Sequence, residues 1–392
     1  MLSISHMKVL DYRSLARIEV ALKDLSVIVG ANGCGKSTFI DVFRLLKAAT
    51  EGRLEEAVRL RGGISSMSCK LWAPLHGVWF AAAIRSGDGD EGACVVYEIG
   101  LAPQGASYYL TIDTVTIASD MSDPFRSGQV VIARVSGDDQ QELRVPGQPK
   151  TVVKGPPPTE SVISGPLQHE QGRLIGFLLR GLFSEFVFLR PIPVDERAPV
   201  RLPQDITVGT VPSDDGDRLF ASLYNMRLES PEVFETLLDK IRLVYPSFRK
   251  LDFPVAASGK ISLYWYDAYN KEPLDQRELS DGTLRFLWLL TILHSPNKPP
   301  LILIDEPEVS MHPQMLMVLA DAMKEASAQT QLIVATHSDR LLRWMDPEDV
   351  CVMDMEDGQT RMSWLDPERL KSWLERYTLD ELWQMGELGG RP

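Results

Sequence analysis

Residues 30–37 read Gly-Ala-Asn-Gly-Cys-Gly-Lys-Ser, and glycines, lysine and a hydroxyl at that spacing suit the binding of a polyphosphate. Glycine lets consecutive backbone N–H groups turn inward around phosphate oxygens. The N-terminus of a following helix adds roughly half a positive charge at the same point. Lys36 then reaches the outer phosphates, and Ser37 offers its hydroxyl to Mg²⁺. The expected binding set is Gly30, Ala31, Asn32, Gly33, Cys34, Gly35, Lys36, Ser37 and Thr38. Cys34 holds a variable position of the pattern and is given no redox role.

Residues 301–306, Leu-Ile-Leu-Ile-Asp-Glu, are four apolar β-formers ending in adjacent carboxylates. At a strand end Asp305 can hold the Mg²⁺ shell while Glu306 polarises the water that attacks the terminal phosphate. A second apolar run, 331–336, ends at His337-Ser338. Strand C-termini of a parallel sheet collect on the ligand side, so His337 is expected near the terminal phosphate as its sensor. Lys36, Glu306 and His337 form the expected catalytic set. Residues 278–286, Glu-Leu-Ser-Asp-Gly-Thr-Leu-Arg-Phe, open an apolar helix with a Ser-Asp-Gly turn. Taken alone, that turn is an N-cap. Its hydroxyl and amides also suit an anion, and with one phosphate loop already present the anion would be a second nucleotide.

These residues need strands and helices to hold them. Residues 4–29 read as an antiparallel pair of short strands whose second half, 25–29, is a near-continuous apolar run of the buried kind. From Lys36 the spacing becomes helical, with Phe39, Ile40, Phe43 and Leu46 on one face. Alternation and glycine or proline punctuation predict strands at 76–85, 93–101, 107–117, 129–135 and 143–145, a β-rich lobe. A linker follows at 154–166, then a helix at 173–183, a strand at 186–189, helices over 217–245 and a hairpin at 250–267. The helix opened by the Ser-Asp-Gly turn runs to Leu293, and a further helix begins near Pro313.

Composition excludes several classes. With 44% apolar and 24% charged residues, and no apolar run near the roughly 20 residues that cross a bilayer, no membrane span is expected. The opening MLSISHMKVLDYRSL lacks the plan of a secretory signal, which predicts a cytoplasmic protein. Cys34, Cys69, Cys94 and Cys351 are widely spaced and imply neither a zinc site nor a disulfide framework. The formal charge of −13 opposes whole-surface attraction to nucleic acid, though a local basic face remains open.

Taken in order, GANGCGKS, ELSDGTLRF, LILIDEPE, EVSMHP and ATHS resemble the ABC-type ATPase head shared by RecF, SMC proteins and OLD nucleases. DYRSL near the start resembles the aromatic-Arg-Ser segment of these proteins, and TLDELWQMGELGG near the end is similar to the tails of OLD-like ATPases. The resemblance covers about the first 50 and the last 120 residues well and the middle loosely. It implies an α/β P-loop NTPase with an ABC-type core, an inserted β-rich lobe and a helical signature lobe. The whole chain would form a single head. Its parts would be 1–75 with the phosphate loop, 76–160 the β-rich lobe, 161–295 the helical and signature lobe, 296–345 with the acidic pair and histidine, and 346–392 the tail.

The resemblance also implies a head-to-tail dimer in which Ser280, Asp281 and Gly282 of one subunit contact the nucleotide held by the loop of the other. ATP with Mg²⁺ closes such a dimer and hydrolysis reopens it. A glutamine joins the metal site in these families; Gln168 is the candidate, with Gln171 nearby, and Arg13 is a candidate phosphate contact. The interval 38–279 lacks the heptads of an SMC arm, and 338–392 gives no sign of the OLD nuclease domain. A transporter subunit is disfavoured because the signature reads Leu-Ser-Asp-Gly-Thr and lies far from the loop. A small-molecule kinase or GTPase has no use for the signature turn and the histidine.

The expected function is an ATPase switch that controls a partner effector in DNA repair or anti-phage defence. Its docking face would include a tail helix around 374–382, through Leu374, Tyr377, Leu379, Leu382 and Trp383, unless these residues pack on the protein's own core. The alternative is a RecF-like clamp that binds DNA directly. Its contacts would be Arg53, Arg59 and Arg61, or Arg190, Arg197 and Arg201, unless these are surface ion pairs.

Overall fold

A computed structural model describes residues 2–71, 77–86, 94–105, 107–120, 122–126, 128–134, 140–143, 151–165, 167, 170–256 and 259–389. The chain forms two compact units. One comprises Met1–Phe186, Cys351–Leu365 and Leu388–Pro392, and the other Val187–Val350 with Asp366–Glu387.

The first unit opens with a hairpin rather than with two short strands leading to the loop. Leu2–Tyr12 pairs antiparallel with Leu15–Ala21, and Arg13-Ser14 makes the turn. In the second of these strands Ile18 and Val20 are buried while Arg17 and Glu19 face water, the alternation of a sheet with one wet face. The hairpin begins an eight-stranded antiparallel sheet that continues through Val78–Ser86, Cys94–Gln104, Ser107–Ala118, Gly128–Arg134, Gln140–Leu143 and Thr151–Lys154. The β-rich lobe is thus present. The strand expected at 143–145 runs instead over Gln140–Leu143, and Thr151–Lys154 adds a strand that was not among those expected.

The segment expected as a linker at 154–166 is pinned rather than free. The Asp113 carboxylate accepts from Ser161 Oγ at 2.8 Å and Val162 N–H at 2.7 Å, and Tyr108 Oη donates to the Thr159 carbonyl at 2.8 Å. Glu160 takes the N–H groups of Leu54 and Glu55 at 3.0 and 2.9 Å, filling donors that the helix Leu54–Leu60 leaves open at its start. Leu25–Val29, also in this unit, is buried at every position. It feeds the helix Lys36–Thr50, which buries Phe39, Ile40, Phe43 and Leu46 as its spacing demands.

In the second unit Leu301–Asp305 lies between Val187–Leu189 and Gln331–Thr336, parallel to both. Every residue of the two longer strands is buried, as expected where helices cover both faces of a sheet. The helix Asp281–His294 is buried on nearly all sides, with Asp281 and Arg285 the exceptions, which marks it as a core helix. Its Trp288 indole N–H donates to the Ser213 carbonyl at 2.9 Å, satisfying a donor that burial would otherwise strand. Helices Leu219–Glu229 and Pro231–Val244 and the pairing of Phe248–Asp252 with Tyr264–Asp267 follow the expected pattern. Among the described residues no helix is long and apolar enough to cross a membrane.

Candidate nucleotide site and signature turn

The phosphate loop begins where the buried strand Leu25–Val29 reaches Gly30. A side chain here would overlap the Met353 carbonyl oxygen, so only glycine lets the chain pass. Gly35 caps the following helix at φ 113°, a left-handed conformation that side chains resist, and a Cβ there would press on Ser14 Oγ and Thr360 Oγ1, each 2.9 Å away. The Cys34 carbonyl accepts from Thr360 Oγ1 at 2.7 Å. Burial pushes the Cys34 thiol up, which disfavours the thiolate.

Lys36 is buried, and its ammonium donates to the carbonyls of Gly30 and Ala31 at 2.7 and 2.9 Å. Among the described residues no ion pair to a carboxylate is formed by it, and its partners are these two carbonyls and, at 3.9 Å, Cys34 Sγ. Such a charge fits an anionic ligand. Asn32, Gly33 and Ser37 are exposed and Thr38 half-buried, leaving the rim of the loop open.

Arg13 sits in the hairpin turn at φ 51°, 3.7 Å from Asp41 and 5.3 Å above the Tyr12 ring. Asp41, on the helix that follows the loop, accepts from Tyr12 Oη at 2.5 Å and from Arg61 Nε at 2.8 Å. Burial works against the Asp41 charge. The hydrogen bonds from Arg61 and Tyr12 outweigh it and hold the carboxyl below its ordinary range.

In the second unit the acidic pair stands at the end of Leu301–Asp305. Asp305 continues the strand, paired with Ala335, and is buried. Glu306 turns off at φ 56°, uncommon for a residue with a side chain, while its N–H still donates to the Ala335 carbonyl at 2.8 Å. Adjacent carboxylates thereby receive different surroundings. His337, one residue beyond the neighbouring strand, places Nδ1 3.5 Å from Glu306 Oε1. Two of the three expected catalytic groups, Glu306 and His337, thus meet.

Sequence reasoning missed a third carboxylate in this cluster. Glu308 Oε1 lies 3.5 Å from the same His337 Nδ1 and accepts from Thr336 Oγ1 at 2.6 Å and His337 N–H at 3.3 Å. Its side chain is 8% exposed against 42% for Glu306, and burial raises its pKa. Its other oxygen, Oε2, is buried without a hydrogen-bond partner among the described residues. The available signal was a second acidic residue just past the strand end, in the segment LILIDEPE.

The signature turn is built as a helix start. Ser280 is the N-cap of Asp281–His294, its Oγ accepting the Thr283 N–H at 3.1 Å. A Cβ on Gly282 would overlap the Ser310 carbonyl oxygen, and Ser310 itself sits at φ 65°. Arg285 reaches back to Ser310 Oγ at 2.5 Å. The turn is thereby clasped to the loop that follows the acidic pair.

Three of the proposed DNA-contacting arginines are engaged within the protein. Arg201 is buried and donates to the carbonyls of Val194, Arg277 and Leu279 at 2.6, 3.0 and 2.9 Å and to Asp281 at 2.5 Å. It staples the approach to the signature turn. Arg61 holds Asp41, and Arg53 pairs with Glu51. Arg59, Arg190 and Arg197 are exposed.

The tail expected as one docking helix is two, Pro367–Leu374 and Leu379–Met385. The second begins at Thr378, whose N–H donates to Glu381 at 2.9 Å, and it turns Leu379, Leu382 and Trp383 inward. Those three residues serve the protein's own core and offer no docking face. Gln168 lies outside the described residues.

Two family models match the chain. Residues 2–68 match the one described as "AAA ATPase domain", and residues 193–343 the one described as "AAA domain, putative AbiEii toxin, Type IV TA system". No curated relative matches. Among solved structures, the chain is similar to an SMC head bound to the C-terminal winged-helix domain of ScpA. The two are 15% identical, covering 93% of this chain and 99% of that one, with a TM-score of 0.56. It is also similar to the Smc head domain with an extended coiled coil, bound to the C-terminal domain of ScpA from Pyrococcus furiosus. Here the identity is 13% over 96% of this chain and 99% of the other, with a TM-score of 0.53. At such identities the likeness gives the fold, which is that of an SMC-type head.

Proposed function

We propose, from the premise that this chain is an ATPase with an ABC/SMC-like head, that it is a switch closed by ATP between two copies and reopened by hydrolysis. One observation carries the reading. The chain holds two helix starts suited to a phosphate, the loop that opens Lys36–Thr50 and the exposed Ser280 turn that opens Asp281–His294. A single nucleotide engages one of them as its resident loop. The other is free to meet a nucleotide presented by a second copy.

Within that scheme Lys36 gives up its carbonyl partners and takes the outer phosphates of ATP. Ser37 and Asp305 offer a hydroxyl and a carboxylate, the hard oxygen donors that Mg²⁺ prefers; the ion, when bound, neutralises phosphate charge. Glu306 accepts a proton from the attacking water, and His337, tethered between Glu306 and Glu308, reports the terminal phosphate. Loss of that phosphate removes what binds the second copy, so occupancy by ATP sets the population of closed dimer.

The output is a contact with a separate effector protein. SMC heads of the same fold are bound to a domain of ScpA, which supports a protein partner for this head. The description of the model matching 193–343, which includes a type IV toxin–antitoxin system, supports a place in anti-phage defence ahead of DNA repair. The internal engagement of Arg61 and Arg201 weighs against direct DNA binding.

The test is the solution mass of the Glu306→Gln protein with and without Mg-ATP, repeated with Ser280→Arg added. A doubling of mass on ATP that the Ser280 change abolishes is the expected result. A mass that never responds to ATP, with turnover unaffected by Ser280→Arg, overturns the switch.

A further inference from the structure

Ser280 does not stand alone at the signature turn. Thr283 Oγ1 lies 2.7 Å from Ser280 Oγ and, on its other side, 2.7 Å from Tyr245 Oη. Three hydroxyls therefore form a chain from half-buried Tyr245 through buried Thr283 to exposed Ser280. The Tyr245 ring meets Trp265 edge-on, centroids 5.2 Å apart, at the end of the helix Pro231–Val244.

A hydroxyl carries one proton and two lone pairs. One Ser280 lone pair is already filled by the Thr283 N–H. The chain can run in two directions. If Tyr245 donates to Thr283 and Thr283 to Ser280, the second lone pair of Ser280 is filled as well, and its own proton must point away from the chain. If the order is reversed, Ser280 spends its proton on Thr283 and shows an anion a lone pair, which repels it. Among the described residues Thr283 Oγ1 is the hydrogen-bond partner of the Tyr245 hydroxyl, and a phenol is a stronger donor and a weaker acceptor than an aliphatic hydroxyl, which favours the first order.

We propose that Tyr245 and Thr283 are positioning residues that aim the Ser280 proton at the terminal phosphate of a nucleotide held by a second copy. The proposal rests on the dimer reading above and adds what makes the turn a phosphate donor rather than only an N-cap. Because hydroxyl order is set in the single copy, the donor is oriented before the nucleotide arrives, which spares its ordering at the moment of assembly.

The experiment is a Mg-ATP titration of the Glu306→Gln protein, reading the ATP concentration that half-assembles the dimer by sedimentation. Tyr245→Phe and Thr283→Val should each raise it about tenfold, as expected for weakening a hydrogen bond to a charged group. Thr283→Ser, which keeps the hydroxyl, should restore the parent value. Ser280→Ala should raise it at least as much, and adding Tyr245→Phe to Ser280→Ala should change nothing more, since the tyrosine acts only through the serine. If Tyr245→Phe assembles like the parent, or its effect adds in full to that of Ser280→Ala, the relay is overturned while the dimer reading stands. If Ser280→Ala leaves ATP-driven assembly untouched, Ser280 is not the phosphate donor and the relay falls; only a protein that never assembles on ATP removes the dimer reading itself.

Discussion

His337 Nδ1 lies 3.5 Å from Glu306 Oε1, although the two residues belong to separate strand ends. Parallel pairing of Asp305 with Ala335 brings them level, and the left-handed turn at Glu306 swings its carboxylate toward the ring. The carboxylate proposed as the base is thereby held beside the histidine proposed as the sensor.

Replacing Glu306 by glutamine keeps the shape of the side chain and removes its capacity to take a proton. Hydrolysis should fall by roughly 10²–10⁴-fold, the usual contribution of a positioned general base, while ATP binding is retained. Phosphate release under single-turnover conditions, beside equilibrium binding of a fluorescent ATP analogue, checks both halves. Turnover at the parent rate removes Glu306 from the chemistry.

Glu308 faces the same ring from the buried side and is held by Thr336 Oγ1 and the His337 N–H. Glu308→Gln preserves an acceptor for both donors but withdraws the carboxylate that faces Nδ1. The expected effect is a fall in kcat of roughly tenfold, the scale seen when an outer partner of a functional histidine is removed, with KM for ATP little changed because the phosphate loop is untouched. A rise in KM with kcat intact contradicts this assignment.

Gly282 has no room for a methyl group, because a Cβ would overlap the Ser310 carbonyl oxygen. Gly282→Ala should lower stability by about 1–3 kcal/mol through overpacking, measured by urea unfolding. It should also weaken ATP-driven assembly, since Ser280 and Ser310 are displaced together. An unchanged unfolding midpoint means that this clasp yields more easily than its geometry implies.

Much of this site was legible where local sequence dictates local structure. The loop at 30–37 could be read because glycine at Gly30 and Gly35 meets demands made by Met353 and by a left-handed helix cap. The strands ending at Asp305 and Thr336 are unbroken apolar runs of the fully buried kind. Glu308 and Tyr245 escaped because their partners come from strand pairing and helix packing rather than from neighbours in sequence. Arg201 was misread because charge alone does not report burial; its guanidinium satisfies four carbonyls of irregular backbone. The tail was read as one helix because its apolar spacing continues across Thr378, where a helix start supplied by Glu381 resets the chain.

His294 supplies a pH dependence whose sign follows from its surroundings. It ends the signature helix with Nδ1 2.9 Å from the Leu290 carbonyl, while Nε2 is buried, 3.9 Å from Glu325. Burial lowers its pKa below the ordinary 6.5; the Leu290 carbonyl and Glu325 oppose the shift, and Lys240 and Lys298 reinforce it. The folded chain therefore takes up this proton less readily than the unfolded chain does. Stability rises with pH wherever the unfolded state binds more protons, so the contribution of neutral His294 is complete above 6.5. It is lost as pH falls through 6.5 toward the folded value. Urea unfolding at pH 7.5, 6.5 and 5.5 should show the parent protein losing stability faster than His294→Leu, which has no proton to bind. Because other groups titrate in both proteins, the informative quantity is the difference between the two. If that difference stays constant across the three pH values, His294 does not titrate between the folded and unfolded states, and its burial carries no linkage to pH.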